Sequence, residues 1–108
     1  MTTTEAADYI RTLFANSITD TQFVVEESTP PAELVAALGN TPLAVKITGT
    51  WKDISSTATM LIHPSRTLKD ENGPESLAAA VLITSVEILK RIERQALERG
   101  VNDAYKNN

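Results

Sequence analysis

Cysteine is absent from the 108 residues. Its absence excludes a disulfide framework, a thiolate zinc site, an iron–sulfur cluster and a cysteine nucleophile. Histidine occurs once, as His63, so no pair of histidines at metal-ligand spacing exists, and no metal or other cofactor is expected. The four glycines, Gly39, Gly49, Gly73 and Gly100, stand singly, which rules out a glycine-rich phosphate loop. There is no Gly-x-Ser-x-Gly elbow. Long apolar runs are also missing: the longest, Leu77 to Ile83, has seven residues, against the ~20 that a membrane helix needs. Thr2-Thr3-Thr4-Glu5 follows Met1 where a signal peptide would carry a basic region and an apolar run. A cytoplasmic protein, away from membranes, is therefore the expectation.

What remains is ordinary globular material, 42% apolar and 22% charged, in a length that suits one domain. The net charge of −4 is unevenly placed. Residues 1–40 hold six acids against Arg11 alone, whereas residues 74–108 hold five acids and five bases. A duplex-binding protein needs a basic face for the phosphates, so a nucleic-acid partner is not expected. A basic protein partner suits an acidic N-terminal third, because opposite fields speed encounter.

Periodicity places the elements. Ala6, Tyr9, Ile10, Leu13 and Phe14 recur at three and four residues, predicting a helix over 4–15, with Thr2 and Glu5 at capping-box spacing. The β-branched and aromatic stretch 22–26 reads as a strand that closes on Glu26 to Pro31. Thr29, Pro30 and Pro31 open a short helix over 32–38 that Gly39 ends, with Leu34, Val35 and Leu38 as its buried stripe. Leu43, Val45, Ile47, Gly49 and Trp51 alternate with polar or small residues as one side of a strand. A five-residue turn, 52–56, leads to a second strand over 57–63, and Gly49 marks a bulge or a close approach to the backbone. A polar connection, 64–73, precedes a helix from Glu75 to about Arg99, with Gly100 as terminator and 101–108 as a flexible tail.

The resulting fold class is α+β: one domain over 1–100, in which a small antiparallel sheet of about three strands packs against a long C-terminal and a short N-terminal helix, in the order α-β-α-β-β-α. Without the middle helix this is also the order of double-stranded-RNA-binding domains. Those domains begin their last helix with a basic cluster, where this chain has Asn72-Gly73-Pro74-Glu75-Ser76, so the shared order is taken as coincidence and no family is recognised.

The last helix holds the main functional signal. Its first half is apolar on every side, which requires cover on every side. Its second half narrows to a stripe. We expect self-association, in the commonest case a twofold dimer, through Leu82, Val86, Leu89, Ile92 and Ala96. A small anionic ligand or nucleotide could instead be held by Trp51 and Lys52 with His63, Arg66 and Lys69, within one copy or between subunits. An enzyme using His63 is the third reading, testable by His63→Ala. Catalytic groups are sparse, and the adjacent acids Glu26-Glu27 would point to opposite faces of a strand. The reading favoured is therefore a non-enzymatic, acidic, homo-oligomeric interaction protein that binds or blocks a macromolecule. Inhibitors, immunity proteins and phage-encoded counter-defence proteins share that size and acidity, an analogy of class alone.

Overall fold

The computed structural model describes residues 2–15, 20–39, 41–63 and 73–106. The elements follow in the order α1 (Thr3–Ala15), β1 (Gln22–Ser28), α2 (Ala32–Leu38), β2 (Leu43–Trp51), β3 (Ile54–Ile62) and α3 (Gly73–Lys106). The three strands form one antiparallel sheet in the order β1-β2-β3. The α+β class, the element order and the long last helix are those read from the sequence.

Register sorts the side chains onto two faces. Val25 pairs with Ile47 and Ile47 with Ala58; Val45 pairs with Met60 and Leu43 with Ile62. With the period of two, these residues share one face with Phe23, Gly49, Trp51 and Ile54. Both α1 and α3 pack there. Ala6, Ala7 and Ile10 of α1 and Leu77, Val81, Ile88 and Ile92 of α3 complete the buried cluster. The other face carries Lys46, Thr48, Thr50, Ser55, Thr57 and Thr59, and Thr48 and Thr50 hydrogen-bond Thr57 and Ser55 across it, each at 2.9 Å. Alternation of this kind is what a sheet with one dry and one wet face needs.

Several boundaries differ from the sequence reading, each for a local reason. β1 continues to Ser28, since Glu27 and Ser28 still find partners in Val45 and Ala44. α2 has the expected bounds, and Gly39 adopts the left-handed conformation at φ 70° with its N–H donating to Val35 O. Its anticipated buried stripe is not buried, however: Leu34 and Val35 are half-buried and Leu38 is exposed. The turn between β2 and β3 is two residues, not five. Lys52 takes φ 55°, the positive value that the first position of a tight hairpin demands, so pairing resumes at once with Trp51 and Ile54. β3 ends at Ile62, leaving His63 just past the strand.

α3 passes through Gly100 and runs to Lys106. A single glycine in an exposed helix costs only ~1 kcal/mol, and among the described glycines only Gly39 leaves negative φ. At ~1.5 Å per residue, α3 is about 50 Å long, while the nine-residue strands span about 30 Å at ~3.3 Å each. The helix therefore outruns the sheet, which accounts for a radius of gyration of 16.6 Å where a compact chain of this length would have ~13 Å.

Gly49 lies directly against Ile88 of α3. A Cβ built on it would stand 2.7 Å from Ile88 Cγ2 and 3.1 Å from Phe23 Cε1. The strand pairing is unbroken through it on both sides, so of the two roles anticipated for this glycine the close approach holds and the bulge does not.

Each free sheet edge is guarded by a guanidinium from a helix. Arg11 of α1 donates to Val25 O of β1 through Nε (3.2 Å) and Nη2 (2.9 Å), steadied by Asp8 at 2.7 Å. Arg91 of α3 donates to Thr57 O of β3 at 3.2 Å, steadied by Glu87. These carbonyls point away from β2 and would otherwise template another strand. Arg11→Ala or Arg91→Ala is expected to lower stability by no more than ~1 kcal/mol, because the pairs are exposed. Aggregation under mild urea, followed by light scattering, should nevertheless quicken in both variants. An unchanged aggregation rate would deny the clasps that role.

Candidate functional site

The outer side of α3 is where apolar surface meets water. The helix turns Leu77, Val81, Ile88 and Ile92 to the sheet, and Ala96 packs on the same cluster. Turned outward are Leu82 (64% exposed), Ile83 (69%), Val86, Leu89 and Leu97. The helices' outer side is the usual wet side of a two-layer sandwich, so large aliphatic side chains there are unusual. Of the stripe expected from the sequence, Leu82, Val86 and Leu89 are on this surface. Ile92 and Ala96 are not: they stack in line with Ile88 at four-residue steps and belong to the chain's own core. Ile83 and Leu97, which the stripe omitted, join the exposed set.

Two hollows flank Leu82. One is a groove of about 290 Å³ between α3 and the end of α1, walled by Leu13, Phe14, Phe23, Ala78, Leu82 and Leu89, with Ser85 in its floor. Phe14 and Phe23 form its far wall as a stacked pair, 4.4 Å between centroids and 12° between planes. The other is a hollow of about 400 Å³ bounded by Leu82, Ile83, Val86, Glu87 and Lys90. The groove residues of α1 and β1 escaped the sequence reading. Their signal was an aromatic closing one amphipathic element and another opening the next strand.

The residues considered for an anionic ligand do not gather. Trp51 and Lys52 sit at the hairpin tip, where the Lys52 ammonium lies 4.5 Å from the Trp51 ring centroid. His63 lies beyond the opposite end of β3, exposed, and about 30 Å away by the length of the strand. Arg66 and Lys69, like the acid pair Asp70-Glu71, lie outside the described residues. One copy of the chain thus separates Trp51 and Lys52 from His63. Among the described residues no group of three or more His, Asp or Glu could hold a metal ion, and no helix is long and apolar enough to cross a membrane. Glu26 faces Lys46 across the wet side while the next residue, Glu27, turns to the other face and accepts a bond from Thr4 Oγ1 at 2.7 Å.

No family model, curated protein or solved structure matches this chain. Its function is argued from its own surface.

The hairpin tip is tied to α3 rather than held open for a ligand. Asp53 accepts from Arg99 Nη1 at 2.6 Å. That hydrogen bond, then one from the Asp53 backbone and the charge of Arg99, holds the Asp53 carboxyl below its ordinary range. A lowered folded-state value stabilises at pH above the unfolded value and is lost as pH falls through the folded one. The stability gap between the native chain and Asp53→Asn, from urea unfolding, should therefore be constant at neutral pH and close on acidification below the usual carboxylate range. The pair is fully exposed, so the gap should shrink in high salt as well.

Proposed function

We propose that this chain is a non-enzymatic interaction protein, homo-oligomeric through the outer side of α3, that acts by binding or blocking a macromolecular partner. One observation carries the reading: five large aliphatic side chains, Leu82, Ile83, Val86, Leu89 and Leu97, stand exposed along one helix. Apolar surface costs about 25 cal/mol per Å² in water, and a contiguous patch of it on a small domain marks a place of association. α3 is also the electrically neutral part of the chain, with five acids and five bases, so self-pairing there meets no net repulsion. The acid surplus lies in the N-terminal third and remains available to a basic partner.

Light scattering across a concentration series tests the first half. The mass should climb from 11.7 kDa toward twice that value, and a constant mass up to millimolar concentration would refute self-association. Binding to a basic partner should weaken as salt rises from ~0.1 to ~1 M, where the screening length falls from ~10 to ~3 Å. Affinity indifferent to salt would refute recognition by charge.

A further inference from the structure

The groove beside α3 has the shape of a helix seat. Toward it α3 presents Ala78, Leu82, Ser85 and Leu89, at steps of four, three and four, the spacing that keeps one seam turned toward a neighbouring helix. Small and large residues alternate along that seam. No charged residue occurs from Ser76 to Val86. The groove, of about 290 Å³, is lined almost wholly by apolar side chains. Its side chains supply one polar atom, Ser85 Oγ, already donating to Leu82 O at 2.8 Å. A metabolite would find little to orient it, whereas an apolar helix asks for nothing more.

We infer that the occupant is α3 of a second copy, crossing antiparallel about a twofold axis between Ile83 and Thr84. This rests on the self-association proposed above and adds its geometry. In that register Leu82 of each copy meets Ser85 of the other, and Leu89 meets Ala78, so large faces small along the whole seam. Leu13 and Phe14 then flank the incoming helix. A parallel pair would set Leu82 on Leu82 and Ser85 on Ser85. It would also align the two helix dipoles, which is unfavourable. The twofold arrangement is isologous, so each copy supplies both the ridge and the groove and the assembly closes at two.

The absence of cysteine makes a direct test possible, since a single introduced thiol can bridge only between copies. Ser85→Cys lies next to the axis and should give a covalent dimer under mild oxidation. Leu97→Cys should not: antiparallel copies of residue 97 would stand about 40 Å apart at ~1.5 Å per residue, against a disulfide limit near ~7 Å between Cα atoms. Leu82→Ser and Ser85→Leu should each weaken the dimer by about tenfold or more, and combining them should bring the affinity back to within about threefold, because large and small merely change places. A dimer that bridges at residue 97, fails to bridge at residue 85, or stays weak in the double variant overturns this register and leaves self-association standing. A chain monomeric at millimolar concentration overturns both.

Discussion

Gly49→Ala should destabilise the chain by about 1–3 kcal/mol, the range for an extra methyl group forced into a packed core. At 2.7 Å from Ile88 Cγ2 the new carbon cannot be accommodated by a flexible side-chain end. Ile88 is wholly buried, and its Cγ2 methyl hangs from a branched Cβ that is stiff about the first side-chain torsion. Its helix would have to lift from the sheet or the strand would have to sink. Gly49 does not occupy the left-handed region, so the penalty is steric and comes chiefly from Ile88, with Phe23 Cε1 at 3.1 Å the lesser contact. That gives the prediction a sharp check. Ile88→Ala alone should cost about 2–5 kcal/mol as a cavity, and in that background Gly49→Ala should cost little, because the opposing methyl group has gone. A urea-unfolding double-mutant cycle would show coupling of about 1 kcal/mol or more. Additive effects would mean that something other than Ile88 fixes glycine at this position.

β2 is the most legible strand in the sequence. Leu43, Val45, Ile47, Gly49 and Trp51 alternate strictly, and from Val45 to Thr50 the pattern and the burial coincide. The same holds for α1, whose apolar stripe has a single phase. α3 was harder to read. Between Leu77 and Ile83 every position is apolar, so the local pattern gives no phase and cannot say whether Ile92 or Leu89 faces in. The answer comes from Ile88, locked over Gly49, because Ile92 follows it one turn later. The hairpin was obscured for a different reason. Lys52 in a left-handed conformation lacks the usual Asn-Gly or Asp-Gly signal, and Ser55 and Ser56 look like loop residues although Ser56 faces inward opposite Gly49. Phe14 and Phe23 meet only because α1 doubles back along β1, which no window of the sequence displays.

The two faces of the molecule imply a division of labour. The middle of the sheet's outer face carries threonine and serine that bond one another, Val24 and Leu61 stand exposed on its two outer strands, and its edges are closed by Arg11 and Arg91. Growth by strand addition is thereby discouraged. The helix layer has no such dressing at Leu82 and Ile83. The proposed association is thereby left to the helix layer, and the proposed twofold contact there would leave the acids of the N-terminal third to a basic partner.

The strongest expected effect on assembly follows from a single charge. Leu82→Lys should abolish self-association while changing the stability of the isolated chain little, since Leu82 is 64% exposed and surface changes of this kind are usually within ±0.5 kcal/mol. Thermal unfolding separates the two effects. For the native chain, each tenfold rise in concentration adds about 1.4 kcal/mol per dimer, or about 0.7 per chain, and should raise Tm by about 3–5 °C. In Leu82→Lys the Tm should not depend on concentration and should match that of the native chain at high dilution. Leu82→Glu should behave identically, because the cause is a charge taken into an apolar contact and not its sign. Thr59→Lys, on the open sheet face, should retain the full concentration dependence. A native Tm that does not move with concentration, or a Thr59→Lys variant that loses the dependence as Leu82→Lys does, would remove α3 as the interface.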